Sequence, residues 1–272
     1  MKFGYCIGYN FVEGNENSMA LLEVAAKAGF DYVETQIATV ANFEKEKYDK
    51  FKQILKDNNM GCDAGMQLFP PDLPLITDDA DIELIKMHAD KTLSVAEELG
   101  NKVLVFGNGG QRWVRPGMDD DISYERFQRL IEAVNVSARK YDVKIAIEPL
   151  NFKGERYMLV RSVKDAADVA NSVSADYVGG VCDLFHHRGL GVSLDDMTNN
   201  PEKVFHLHIA SPGARMMPMP DDDEASMRDY EEFAQRAKQI GYKGMLSIEA
   251  DPGEITVERL GSSLELLKKL FA

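Results

Sequence analysis

Short apolar runs recur along the chain, each followed by a longer stretch with helical periodicity, and this alternation predicts eight β/α units in series. Lys2 to Gly8 reads as the first strand, followed by a helix over Ser18 to Ala28 that Ser18 caps and Gly29 stops. Strands two and three are expected at Asp31 to Glu34 and Gly61 to Met66, with a helix over Glu44 to Asn58 between them. Pro70, Pro71 and Pro74 lengthen the third loop ahead of a helix over Ala80 to Leu99. Strand four, Lys102 to Phe106, runs directly into Gly107-Asn108-Gly109-Gly110, and the next helix spans Tyr124 to Lys140. Strand five is expected at Lys144 to Glu148, a helix at Ser162 to Ser172 and strand six at Val178 to Asp183. A single turn or so of helix at Asp195 to Asn200, strand seven at Val204 to Ile209 and a helix at Ser226 to Ile240 continue the pattern. Strand eight at Gly244 to Glu249 and a helix at Thr256 to Phe271 complete it. Eight alternations without an intervening linker predict an α/β chain folded as one closed (β/α)8 barrel, a single domain over residues 1–272.

Composition narrows the functional classes. With 44% hydrophobic residues the chain can bury a large core, yet no apolar run is long enough to span a bilayer, so no membrane role is expected. The first residues show no signal-peptide pattern, which makes a cytoplasmic location the expectation. A formal charge of -14 opposes capture of nucleic acid and favours a small polar ligand as partner. Cys6, Cys62 and Cys182 each fall within or beside an expected strand, as free buried thiols do, and no CxxC pair is present. The oligomeric state is left open, a homo-oligomer included.

The chemistry gathers where strands end. Strands five, six, seven and eight finish at Glu148, Asp183, His208 and Glu249, and in such a barrel the C-terminal strand ends share one mouth. Three carboxylates and one imidazole describe a divalent metal site, with an oxygen-rich set that suits Mn²⁺, and Mg²⁺ or Co²⁺ as alternatives. His206 lies two residues before His208 and so on the same strand face, one layer deeper, where a hydrogen-bonded supporting role is expected. His186, three residues past Asp183, can lean over a bound substrate, whereas His187 and His88 are read as packing or solvent-facing residues. Trp113 is read equally as a sugar-stacking platform or an ordinary apolar contact. The Gly107 to Gly110 loop is read as a plain turn or a close backbone approach to a ligand, and the acidic run Asp221 to Glu224 as a solvated loop.

At these residues the chain resembles the xylose-isomerase-like TIM-barrel family of sugar isomerases and epimerases, and within it the ketose 3-epimerases. The resemblance rests on Glu148-Pro149-Leu150-Asn151, Asp183-Leu184-Phe185-His186, His206-Leu207-His208-Ile209 and Ser247-Ile248-Glu249, and it covers essentially the whole length. It implies that Glu148, Asp183, His208 and Glu249 bind the metal and that Glu148 and Glu249 also move protons. It assigns substrate oxygens to His186 and Arg215, and to Glu155 with a shift, because the segment from Phe152 to Arg156 is longer than the family pattern.

Such a site supports enolisation of a keto-sugar, with one carboxylate removing the α-proton and the other returning one. Return to the opposite face gives epimerisation and return to the adjacent carbon gives isomerisation. Loss of a β-leaving group gives lyase or oxo-glycoside cleavage chemistry. Two other readings share the barrel: a sugar-binding protein without catalysis, and an abasic-site endonuclease. The last resembles a trinuclear zinc design that needs more histidines than the five present here.

Overall fold

A computed structural model of the chain describes residues 1–7, 16–151, 157–251 and 253–272. Eight parallel strands close into a barrel: β1 (Lys2–Cys6), β2 (Tyr32–Gln36), β3 (Ala64–Met66), β4 (Val103–Phe106), β5 (Lys144–Ile147), β6 (Val178–Asp183), β7 (Val204–Ile209) and β8 (Met245–Ile248). Their spatial order follows the sequence, and β8 pairs with β1 through Phe3–Leu246 and Tyr5–Ile248. Strands covered on both faces lose the in-out alternation of a half-buried sheet, and β4 and β6 are accordingly buried at every position. One face packs under the surrounding helices. The other fills the barrel with Tyr32, Ala64, Val103, Val105, Ala146 and Val181. Gly4 is required there, since a Cβ at that position would overlap the Tyr32 ring.

The helices begin where side chains can take the free amides of the first turn. Asp81 accepts from the amides of Glu83 and Leu84, Asp119 from Ile122, Ser162 from Asp165 and Thr256 from Arg259. Asp223, expected in a solvated loop, is such a cap, and its neighbour Asp222 accepts a 2.7 Å bond from the Tyr230 hydroxyl. The first helix runs Glu16–Ala28, so Ser18 lies inside it rather than at its cap; nothing at Glu16 or Asn17 breaks a helix. Strand three is shorter than expected. Gly61 makes only an isolated bridge to Tyr32, and the carbonyl of Cys62 is taken by the Asn101 side chain. Among the described residues Cys6, Cys62 and Cys182 are free thiols, and no helix is long and apolar enough to cross a membrane.

A helix at Leu184–Leu190 was not anticipated. Asp183, read only as the end of a strand, also caps this helix by accepting the His186 amide at 2.8 Å, so strand and helix meet without a loop. Asp196 anchors the same helix from outside. Its carboxylate accepts the amides of Val163 (2.6 Å) and Lys164 (3.0 Å) at the start of the Val163–Ser172 helix, and also His187 Nε2–H at 3.1 Å. His187 Nδ1–H donates to the Asp183 carbonyl at 2.9 Å, so both ring nitrogens face acceptors.

Burial alone would depress the His187 pKa, but Cys182 and Asp196 outweigh it and raise it well above the ordinary value. Burial would raise Asp196; the bonds from His187, Val163 and Lys164 hold it below the usual carboxylate range instead. The pair therefore stabilises the fold fully between roughly pH 4 and pH 6.5, the ordinary values of the two groups. Its contribution is lost as pH falls through the depressed Asp196 value and as pH rises through the raised His187 value. Asp196→Asn is expected to lower the unfolding free energy by about 1–3 kcal/mol near pH 6 and to flatten the decline on the alkaline side. Denaturant melts from pH 4 to 9 check this, and identical pH profiles for both proteins would refute the pair.

Candidate metal-binding and catalytic site

Four strand ends converge on one imidazole. His208 Nδ1 lies 3.2 Å from Glu249 Oε2, 3.4 Å from Glu148 Oε1 and 3.7 Å from Asp183 Oδ2. The register explains the meeting, since Asp183 is paired with His208 across β6 and β7, and Ser247 with His208 across β7 and β8. All four side chains are buried. Glu148 fits because of Gly107, where a Cβ would stand 2.6 Å from its Oε2. The Gly107 to Gly110 loop is thus more than a turn: its first residue makes room for a carboxylate.

His186 approaches the cluster from the Leu184–Leu190 helix. Its Nδ1 faces Asn151, 2.7 Å from the side-chain Oδ1 and 3.1 Å from the backbone amide, and its Nε2 lies 4.0 Å from Glu148 Oε1. That buried Nε2 has no other partner among the described residues and is free to meet a substrate oxygen. One ligand atom each from Glu148, Asp183, His186 and Glu249 also lies within 4.8 Å of the others, so two imidazoles border the three carboxylates. Arg215 forms an ion pair with Glu249, its Nη2 2.9 Å from Oε2, and sits 5.2 Å from the Phe185 ring centre. Its backbone adopts φ 53°, held by its amide bond to the Ser211 carbonyl (2.9 Å) and by its carbonyl, which accepts the Asp251 amide (2.7 Å). Glu155 lies outside the described residues.

The electrostatics set the two glutamates apart. Burial raises the pKa of Glu148, and the charge of Glu249 reinforces that more than His208 and His186 offset it. For Glu249 burial acts in the same direction, but the His208 hydrogen bond and the Arg215 charge win and hold it below the ordinary value. Asp183 is likewise held low against burial, chiefly by His186 and His208. His208 is pushed well above its ordinary value, because Glu34 and Asp183 outweigh the burial that alone would depress it. Buried carboxylates in this number need cationic compensation. Arg215 supplies it in part, and the donor set fits a divalent ion, which would take the place of a proton on His208 Nδ1.

Two supporting residues escaped the sequence reading. Glu34 on β2 is fully buried and accepts His208 Nε2–H at 3.1 Å. Its signal was present, because strand two was expected to end at this carboxylate as the others end at theirs. Arg112 gave no sequence signal. Its buried guanidinium stands 4.8 Å from the Phe106 ring centre and donates to the carbonyls of Gly107 (2.7 Å from Nε) and Glu148 (2.9 Å from Nη2). Burial lowers its pKa to about 9, against the Glu148 charge. His206 takes the deeper supporting place expected of it, whereas His187, read as a packing or solvent-facing residue, is buried and hydrogen-bonded to Asp196 and the Asp183 carbonyl.

A cavity of about 650 Å³ opens over the cluster, bordered by Gln36, Gln67, Asn108, Phe185 and Asp251 as well as Glu148, His186, His208, Arg215 and Glu249. Trp113 stands outside it and lines a smaller neighbouring hollow with Pro71 and Arg115. One wall is tied together by Asn108 (φ 35°), whose Oδ1 accepts the amides of Leu68 (3.0 Å) and Phe69 (3.3 Å) and whose Nδ2 donates to Phe69 O (2.8 Å) and Gln111 Oε1 (2.6 Å). Gln111 in turn donates to Pro70 O at 2.8 Å and to Leu73 O.

Comparison with known proteins follows the same geometry. A family model described as a xylose isomerase-like TIM barrel matches residues 22–270. Inosose isomerase of Bacillus licheniformis is 28% identical over 204 residues, which cover 72% of this chain and 68% of that protein. A crystal structure of D-psicose 3-epimerase in the presence of D-fructose superposes with a TM-score of 0.81 at 18% identity, over 100% of this chain and 99% of that one. The apo form of 3-keto-D-glucoside 4-epimerase from E. coli gives 0.78 at 17% identity, over 99% of both chains. At such identities the two structures bear on the fold alone.

Arg112 provides a test of how the site is held. Arg112→Met keeps much of the apolar stem but strips donors from two buried carbonyls, each of which costs about 1–3 kcal/mol when left unsatisfied. A stability loss of about 2–4 kcal/mol is expected by denaturant unfolding. A loss below about 0.5 kcal/mol, the range of an ordinary surface substitution, would show that the guanidinium does not hold this loop.

Proposed function

Because the chain belongs to the xylose isomerase-like TIM barrel family, we propose that it is a divalent-metal-dependent isomerase or epimerase of a keto-sugar, with one catalytic domain over residues 1–272. The observation that carries this reading is the convergence of Glu148, Asp183 and Glu249 on His208 Nδ1 in a buried site beneath a cavity of about 650 Å³. These four residues would hold the ion, and their oxygen-rich set favours Mn²⁺, with Mg²⁺ or Co²⁺ able to replace it. When bound, such an ion polarises a substrate carbonyl and stabilises the enediolate that forms on loss of the α-proton.

The protein groups move the protons. Glu148 and Glu249 come from strands on opposite sides of the site residue His208 in the barrel order, β5 and β8, which suits one to remove a proton from one substrate face while the other returns one. The His186 ring, with Nε2 turned to the site, and the Arg215 guanidinium stand beside these carboxylates and would orient substrate oxygens, with Glu155 as a further contact. The names of the similar proteins, an inosose isomerase, a psicose epimerase and a keto-glucoside epimerase, all denote rearrangement next to a ketone, in keeping with this chemistry.

Mn²⁺-loaded protein incubated in deuterated water with a panel of ketoses, keto-cyclitols and keto-glycosides is expected to exchange a substrate C–H proton, with the product followed by NMR. Glu148→Gln and Glu249→Gln should each lose turnover by about 10²–10⁴-fold even when metal-loaded, since an amide can still ligate but cannot serve as a base. Wild-type inversion by either variant would exclude the two-carboxylate mechanism. His186→Ala and Arg215→Ala are expected to weaken substrate use while keeping the metal, whereas His208→Ala should lose it. Metal analysis by mass spectrometry decides, and a metal-free His186→Ala protein would make His186 the ligand instead.

A further inference from the structure

We infer that Glu34 is the residue that orients His208 toward the metal, a positioning role that rests on the metal reading above. Glu34 sits on β2, outside the run of strands β5 to β8 that carries the proposed ligands, and its side chain is fully buried. Its two oxygens are used differently. Oε2 accepts His206 Nε2–H at 2.8 Å and the Ser247 hydroxyl at 2.5 Å, while Oε1 accepts His208 Nε2–H at 3.1 Å. The Tyr32 hydroxyl donates to Ser247 Oγ at 2.8 Å, which commits the serine proton to Glu34. His206 Nδ1 has no partner among the described residues, so its proton resides on Nε2 and the ring is a neutral donor.

The consequence is chemical. With Oε2 occupied by His206 and Ser247, Oε1 is left to His208, and a carboxylate oxygen 3.1 Å away holds the ring proton at Nε2. A proton fixed there leaves Nδ1, the nitrogen that faces Glu148, Asp183 and Glu249, as the coordinating atom. An imidazole whose far N–H meets a carboxylate is a stronger and better-aimed ligand. Residues from β2, β7 and β8 must all be in register for this, as Cys6–Glu34 and Ser247–His208 pairing shows across the neighbouring strands. One rival arrangement uses the same atoms: Cys6, Glu34 and His208 each offer a ligand atom within 4.8 Å of the others, and would bind a second ion.

The test measures Mn²⁺ affinity by competition with a chromophoric chelator, and the visible spectrum of Co²⁺-loaded protein, for wild type, Glu34→Gln, Glu34→Ala and Ser247→Ala. One ion per wild-type chain is expected, with affinity lower by about 10-fold in Glu34→Gln and by up to about 100-fold in Glu34→Ala, and with shifted Co²⁺ bands in both. Should Glu34→Ala fail to fold, Glu34→Gln keeps the side-chain shape and Ser247→Ala perturbs Glu34 without touching His208; a smaller shift of the same sign is expected from it. Folded Glu34→Gln with wild-type affinity and an unchanged spectrum would overturn the inference while leaving the metal reading intact, provided that His208→Ala still abolishes binding. Two ions per chain, one of them lost in Cys6→Ala, would make Glu34 a ligand and overturn it as well. A wild-type protein that binds no divalent ion would remove the metal reading and this inference together.

Discussion

Like charges brought together out of water are the constraint on which this structure turns. Glu148, Asp183 and Glu249 are buried around one imidazole, with Glu34 behind it, and in a low-dielectric interior such a group cannot persist without cations and hydrogen bonds directed at it. Much of the surrounding architecture answers that need. The strand register sets the spacing, the missing side chain at Gly107 gives Glu148 its space, and Arg112 fastens the backbone on both sides of that contact.

The two glutamates illustrate how position decides chemistry. They carry the same carboxylate, yet Glu249 is paired with Arg215 and His208, whereas Glu148 is packed where burial and its neighbour's charge dominate. Environments that push two titratable groups apart are how one site supplies both an acid and a base near neutral pH.

Much of this was legible in the sequence because barrels convert distance along the chain into proximity at the strand ends. The eight β/α periods locate Glu148, Asp183, His208 and Glu249 at strand ends, since each closes an apolar run. Elements without a period were not legible. The Leu184–Leu190 helix begins on the residue that ends β6, leaving no gap to announce it, and the two-residue ribbon of Trp113–Val114 with Tyr157–Met158 is too short for alternation to register. Arg112 resembles any loop arginine until its carbonyl partners, thirty-six residues apart in the case of Glu148, are brought to it. Glu34 is a different case: its place at the end of an expected strand carried the same signal as the ligands, but its role depends on His206 and Ser247, which only the closed barrel sets beside it.

The Asn108 wall has a consequence for how such a protein diverges. A single side chain in a left-handed turn joins the loop after β3 to the loop after β4, and Gln111 repeats the tie to two further carbonyls, those of Pro70 and Leu73. Point substitution within a wall of this kind breaks bonds shared by both loops, so it degrades the scaffold before it reshapes the cavity. Exchange of the whole linked segment with Gly107 and Arg112 kept leaves the strands and their carboxylates untouched. Descendants of this chain that acquire new substrates would therefore be expected to differ here by blocks of sequence, with insertions and deletions, around a mouth whose charged residues stay in place.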